Sequence, residues 1–320
     1  ILHKQADNVW RIDFQLGWDA DPEEEKKPEK VIPRIQAMLG DARPFELEWV
    51  SIYTFQCRRM NDFRHGRVLF VGDAAHQVSP FGARGANSGF QDTDALMWKL
   101  ALVLQGHAPE KLLDSYAQER EFAADENILN STRSTDFITP KTRTSRHFRN
   151  AVLELARDHS FARKLVNSGR LSMPSFLVNS ALNTPDAEPF AGEMVPGAPL
   201  DDAPVSCNGQ PGWLLDHLGQ RFQCLYFVGD AAVLTDAERE ALRAMQQATP
   251  AIETLLVTSK ATAAAELRVL HDVDGLMAKR YDARPGTAYL LRPDQHVAAR
   301  WRHLDAAAVL HALRRATAQA

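Results

Sequence analysis

Six prolines fall in the thirty residues from Asn183 to Gly212, at positions 185, 189, 196, 199, 204 and 211. Each fixes φ and removes a backbone donor, so neither a regular helix nor a central strand can run through this stretch. The chain is therefore expected to divide into an N-terminal part and a smaller C-terminal α/β part, joined by an irregular crossing segment. With 320 residues, 45% hydrophobic and 24% charged, each part can bury a core of its own. The formal net charge of −4 comes with no basic block, which argues against nucleic acid as the main partner. No apolar run reaches 18 residues, and the most apolar stretch, Ala95–Leu104, is broken by Lys99, so no membrane span and no signal peptide are expected. Three scattered cysteines, Cys57, Cys207 and Cys224, argue for a reducing, cytoplasmic setting and no zinc site.

Local patterns predict the elements. Val9–Leu16 and Glu48–Arg58 read as strands, and Trp10 and Trp49 as core or sheet-packing residues. Asp21–Lys30, charged and with two prolines, reads as a solvated loop or frayed helix start before a helix over Val31–Leu39, stopped by Gly40. Arg67–Gly72 (RVLFVG) is nearly all apolar, as a parallel strand covered on both faces would be. Leu96, Leu100, Val103 and Leu104 recur at helical spacing up to Gly106. A second helix over Pro109–Asp125 would bury Leu112, Leu113, Tyr116 and Phe122, and further helices run to Leu182. Beyond the prolines, strands are expected at Arg221–Val228 and Glu253–Thr258 and a hairpin at Thr287–Leu291 with His296–Trp301. Helices are expected at Asp236–Gln247 and Asp305–Thr317.

The most informative stretch is Arg67–Gly89, RVLFVGDAAHQVSPFGARGANSG. A strand ends at Gly72 and an acid, Asp73, follows at its C-terminal end, where ligands of open α/β sheets sit. Pro80, Gly82, Gly85 and Gly89 form a small-residue loop that lets a flat ligand approach the backbone. A helix then starts near Ala86, with free N–H groups that favour negative charge. Together these make a cradle for an electron-rich, partly anionic planar cofactor.

GDAAH, then PFGARGANSG, then a D-A…W-K-L-A run ending at Ala101, resembles the second FAD motif of the single-component flavoprotein aromatic hydroxylases. The segment LLDSYAQER (Leu112–Arg120) resembles their phenol hydroxylase and 3-(3-hydroxyphenyl)propionate hydroxylase branch. The resemblance implies an α/β fold: the C-terminal portion of an FAD-binding, Rossmann-like monooxygenase, followed by a thioredoxin-like domain. Residues 1–65 would end the substrate-domain sheet and 66–182 form the second half of the FAD domain with helices. Residues 183–212 would be the crossing segment and 213–320 the thioredoxin-like domain. Asp73, beside Gly72, would bind ribityl or ribose hydroxyls of FAD, Pro80 would lie beside the isoalloxazine, and Gly82 and Gly85 would line it. The N–H groups of Ala86 and Asn87 would face its pyrimidine edge. Family members use NAD(P)H and O2 to hydroxylate a phenolic ring, and a homodimer is compatible with the resemblance.

Departures from the family matter equally. No G-x-G-x-x-G occurs, and the family's central D-G motif is missing, so the chain, which opens on Ile1, is expected to be the later part of a longer enzyme. Alone it is expected to hold FAD weakly and not to turn over. The other reading is a non-catalytic binding or dimerisation module. A redox thioredoxin relative is disfavoured, because Cys207 and Cys224 lack the C-x-x-C spacing. A second VGDAA at Val228–Ala232 reads as a strand-end turn, and His76 as a structural residue of its turn. Asp272-Val-Asp274-Gly275 lacks the remaining ligands of a calcium loop. Arg58 and Arg59 are read as structural rather than carboxylate-binding, and Tyr53 and Phe55 share a face that could touch an aromatic substrate.

Overall fold

The computed structural model describes residues 2–17, 19–40, 43–80, 82–166, 173–230, 234–260 and 267–320. It has two compact units, Ile1–Phe55 and Gln56–Ala320.

In the first unit, β1 (Leu2–Lys4) and β2 (Trp10–Ile12) form an antiparallel hairpin with Leu2 opposite Ile12. Two helices follow, α1 (Pro22–Glu25) and α2 (Pro28–Leu39). The two prolines of the charged segment open these helices, where the absent N–H costs nothing. Gly40, at φ +71°, ends α2 as predicted. Two expectations are corrected. Residues 48–57 are not in a strand, because no described segment offers them a ladder. Trp10 and Trp49 are 51% and 81% exposed rather than packed in a core.

The second unit begins with short antiparallel pairings. β3 (Arg58–Arg59) and β4 (Arg64–His65) are followed by β5 (Val68–Leu69) and β6 (His76–Gln77), with β3 on β6 and β4 on β5. The expected parallel strand Arg67–Gly72 is thus reduced to two hairpin residues. Val68 is 55% exposed, since Arg64–His65 is the one strand pairing with this run among the described residues. Phe63, Ala75, Ala95, Leu96, Leu113 and Tyr116 gather into a small core beneath it.

Four helices come next: α3 (Arg84–Leu104), α4 (Leu112–Ile138), α5 (Arg143–Asp158) and α6 (Ser160–Val166). α4 is longer than its apolar pattern suggests, and Phe122, like Leu104 on α3, points out rather than in. Residues 173–182 contain no helix, and 167–172 lie outside the described residues.

The expectation that residues 183–212 carry no central strand is corrected at their end, where Pro204 takes the first position of an interior strand and Pro211 falls on the edge, and the chain builds one seven-stranded sheet. Its strands are β7 (Pro204–Cys207), β8 (Gln210–Trp213), β9 (Phe222–Gly229), β10 (Ile252–Thr258), β11 (Arg268–Asp272), β12 (Ala288–Leu291) and β13 (Val297–Trp301), in the spatial order 13-12-9-10-11-7-8. The central trio β9, β10 and β11 is parallel and the flanking pairs are antiparallel. Helices α7 (Asp236–Gln246), α8 (Leu276–Arg280) and α9 (Ala306–Ala316) accompany it. A capping box between Thr235 and Glu238 starts α7, and Asp305 caps α9. Asp272, which invited the calcium reading, caps α8 instead, accepting from the N–H groups of Met277 and Ala278 at 3.1 and 2.8 Å.

The sheet is buried on both faces, and its strands alternate between two cores. Phe222, Cys224 and Tyr226 face one core with α7, α9, Trp98 and Leu112, while Leu225 and Phe227 face the other with Met194, Leu200, Met277 and Tyr281. The proline-rich segment thus covers one face of the sheet. It also closes the β13 edge: Thr184 N donates to Ala298 O at 2.9 Å, Gly197 N to Val297 O at 2.7 Å, and Val297 N to Ala198 O at 2.9 Å. The opposite edge is β8, four residues long and containing Pro211.

The helices and the sheet meet at a buried ionic cluster. Arg292, in the β12–β13 turn, puts both terminal nitrogens on Glu119 of α4 at 2.6 and 2.9 Å. It also bonds both carboxylate oxygens of Asp294, at 3.0 and 2.6 Å. Lys99 of α3 reaches Glu119 at 2.6 Å, and the Trp98 indole N–H reaches Asp294 at 3.0 Å. Burial alone would raise both carboxyl groups, but the Arg292 guanidinium outweighs it, with Lys99 at Glu119 and His296 at Asp294, and both are held well below the usual carboxylate range. Burial pushes Lys99 down to about 8, against the pull of Glu119.

These carboxylates make the fold acid-sensitive. Their folded-state values lie below the unfolded values of 4.5 and 3.8, so the unfolded chain takes up protons first as pH falls. Their contribution is complete above about pH 5 and is lost progressively below the unfolded values. Urea unfolding at pH 7 and at pH 3.5 is expected to show a clear fall in unfolding free energy at the lower pH. Equal values would contradict the assignment.

Candidate functional site

Gly72 and Asp73 lie in a 3-10 turn, Gly72–Ala74, that follows β5 and packs on α3. Gly72 sits at φ +57°, and a Cβ built on Gly89 of α3 would lie 3.5 Å from the Gly72 Cα. Two glycines thus let the turn and the helix touch backbone to backbone. The turn is pinned by a buried carboxylate that sequence reasoning did not single out, Asp92. Its Oδ2 accepts from Gly72 N at 2.9 Å and lies 2.7 Å from His76 Nε2, and its Oδ1 accepts from Arg120 Nε at 2.6 Å. Burial would raise the Asp92 carboxyl, but His76 and Arg120 outweigh it and hold it low. His76 stacks on Phe63 with ring centroids 5.7 Å apart, the structural role expected of it. Tyr116 donates to the carbonyl of Phe70 at 2.6 Å and fixes the end of β5.

Asp73 itself is exposed and makes no hydrogen bond or ion pair among the described residues. Its oxygens remain available to an external donor. Pro80 and Gly82 are exposed in the loop, while Ser79 is buried and bonds Ser131 and Thr135 of α4, fastening the loop from behind. Gly82 at φ +88° and Ala83 at φ +52° turn the chain into α3.

No side chain caps this helix and its first turn holds no acidic residue. The N–H groups of Arg84, Gly85 and Ala86 have no intrahelical acceptor at this end. Asn87 is the fourth helical residue. Its N–H joins the ladder to Ala83 O, and its side chain Nδ2 donates to the same carbonyl at 2.7 Å. The donors facing outward from this end therefore include those of Gly85 and Ala86, one and two residues earlier than Asn87. Gly85 approaches Val78, where an added Cβ would lie 3.8 Å from the valine methyl. Arg84 is buried and turned to Asn127 and the carbonyl of Met173.

The other candidates divide clearly. Tyr53 and Phe55 belong to the first unit, with ring centroids 6.3 Å apart, and Tyr53 is 72% exposed. Arg59 spends its guanidinium on Asp125 at 2.6 and 2.8 Å and on the carbonyls of Met60 and Asn61, and Arg58 reaches Gln77 at 3.1 Å. In the second VGDAA, Asp230 pairs with Lys260 and Ser259, both at 2.6 Å, while Ala231 and Ala232 lie outside the described residues. One signal could have revealed Asp92, Glu119 and Arg120. Each falls on the buried stripe of its helix, Ser88-Asp92-Ala95-Lys99 or Leu112-Tyr116-Glu119-Arg120-Ala123, where a charge needs a partner.

An exposed, uncommitted carboxylate, a glycine-to-glycine approach and an open helix N-terminus suit a flat ligand with hydroxyl groups and an electron-rich ring, as FAD is. Residues 3–131 match the model of the FAD binding domain, and residues 203–316 that of the HcaD C-terminal domain. A probable NADH-specific resorcinol 4-hydroxylase of Rhodococcus jostii is 46% identical over 111 residues, covering 35% of this chain and 21% of the relative. A 3-(3-hydroxy-phenyl)propionate/3-hydroxycinnamic acid hydroxylase of Burkholderia vietnamiensis is 28% identical over 318 residues, covering 96% of this chain and 57% of the relative. The solved flavin-dependent monooxygenase PieE, in complex with FAD and substrate, superposes with a TM-score of 0.73 at 24% identity, over 94% of this chain and 56% of PieE. The chain thus spans little more than half the length of these last two proteins. Over its two matched segments the chain is thus similar to FAD-dependent aromatic hydroxylases.

Proposed function

We propose that this chain carries the ribityl-binding turn and the ring-facing helix of an enzyme that hydroxylates a phenolic substrate with NAD(P)H and O2. The observation that carries the reading is the Asp73 turn, locked by Asp92 against the flank of α3 at Gly89, on the helix whose N-terminus carries no side-chain cap. In this reading Asp73 accepts hydrogen bonds from FAD hydroxyls. The N–H groups of Gly85 and Ala86 hold negative charge on the pyrimidine edge. Pro80, Gly82 and Gly85 leave room for the ring, and Tyr53 and Phe55 contribute to the aromatic substrate site. When bound, FAD would carry electrons from the nicotinamide to oxygen, while the protein orients the substrate and excludes water. A phenolic substrate and a nicotinamide donor are supported by the names of the resorcinol and hydroxyphenylpropionate relatives.

The C-terminal domain is proposed to be thioredoxin-like in descent and silent in redox chemistry. Burial pushes the Cys224 thiol up to about 12, which keeps it protonated and inert. A cytoplasmic setting and a homodimer complete the proposal, the first supported by the three free cysteines.

Titration of the chain with FAD, followed by flavin fluorescence polarisation, tests the cofactor assignment. Saturable binding in the micromolar to millimolar range is expected, with riboflavin competing. No saturation up to millimolar FAD would overturn it.

A further inference from the structure

Glu119 and Arg120 are neighbours on α4, yet they belong to two different buried clusters. Arg120 holds Asp92, which holds the amide of Gly72, the residue before Asp73. Glu119 holds Lys99 of α3 and both terminal nitrogens of Arg292 from the seven-stranded domain. Arg292 is oriented in turn by Asp294, and Asp294 by the indole N–H of Trp98 on α3. The tip of the β12–β13 turn is therefore joined to both helices one residue away from the arginine that secures the cofactor turn.

We infer that the seven-stranded domain positions the Gly72–Asp73 turn, acting through the adjacent pair Glu119 and Arg120. Two physical facts carry this. Residues 119 and 120 sit on one rigid helix, so a displacement of one moves the other. In addition, every charge in both clusters is buried and all but Lys99 make two or more hydrogen bonds, so neither cluster can shift without breaking bonds to charged groups. Asp92, Arg120, Glu119 and Arg292 are positioning residues, and none of them needs to touch the cofactor. The assignment of that turn to FAD rests on the function proposed above; the mechanical link does not.

Hydrogen exchange at the Gly72 amide tests the link without any cofactor. The amide donates to a buried carboxylate, so it reports the turn directly. Arg292→Lys keeps the positive charge but cannot grip two carboxylates with a planar fork. It is expected to speed exchange across residues 70–77 by about tenfold under native conditions. Asp92→Asn should do the same. Leu242→Ala, a core truncation on α7, should lower the melting temperature while leaving 70–77 unchanged. Should Arg292→Lys not fold, Trp98→Phe, which removes the indole donor to Asp294 and trims the ring beneath Lys99 and Arg292, gives the same readout, with Leu242→Ala controlling for lost core packing. Unaltered exchange at 70–77 in the Arg292 or Trp98 variant would overturn the link, as would equal acceleration in Leu242→Ala. Failure of the wild-type chain to bind FAD would count against the cofactor reading alone.

Discussion

Arg292→Met is expected to lower the unfolding free energy by about 3–5 kcal/mol, the range found when one partner of a buried ion pair is removed. The guanidinium is 1% exposed and lies between Glu119 and Asp294. Methionine approximates its length but, among the described residues, leaves Glu119 with the single cation Lys99 and Asp294 with the Trp98 indole and His296. Two carboxylates would then be buried with too little positive charge, and desolvation of a charge is the most expensive error a core can contain. Urea unfolding at pH 7 is the measurement. A loss below about 1 kcal/mol would mean that water reaches the cluster and that its apparent burial is not maintained in solution.

Asp73→Ala is expected to weaken FAD binding by roughly 1.5–3 kcal/mol, about ten- to a hundredfold, the range for hydrogen bonds to a charged group. Stability should change by less than about 0.5 kcal/mol, because Asp73 is exposed and bonds nothing else among the described residues. The contrast separates a ligand-binding carboxylate from a structural one: at Asp92 the same truncation would strand Gly72 N, His76 and Arg120. Polarisation titrations of both proteins, with thermal melts alongside, decide the matter. Equal affinities would remove Asp73 from the site.

What could be read from the sequence follows the range of the forces involved. Beyond residue 213, β9, β10, the β12–β13 hairpin, α7 and α9 were legible because the apolar run Phe222–Gly229 and the Thr235 and Asp305 caps are local signals, whereas β11 and α8 were not anticipated. The loop from Pro80 into α3 was legible for the same reason. Arg67–Gly72 was misread because an apolar run signals burial but not its partner, and here that partner is two hairpin residues. Trp10 and Trp49 failed likewise: a large ring predicts a covering layer only where the fold provides one. The Asp92 hub and the Arg292 cluster join residues up to 196 positions apart, which no local pattern encodes. Their trace was a charge on an apolar helical stripe.

The closure of both margins of the seven-stranded sheet limits how this protein can associate. Proline and short length blunt one side, and the crossing segment saturates the other with main-chain bonds. Among the described residues, the open ladder positions of this sheet are confined to the four residues of β8, one of them a proline, which leaves a second molecule little length on which to continue the ladder. A margin so short and interrupted is likewise a poor template for fibril growth.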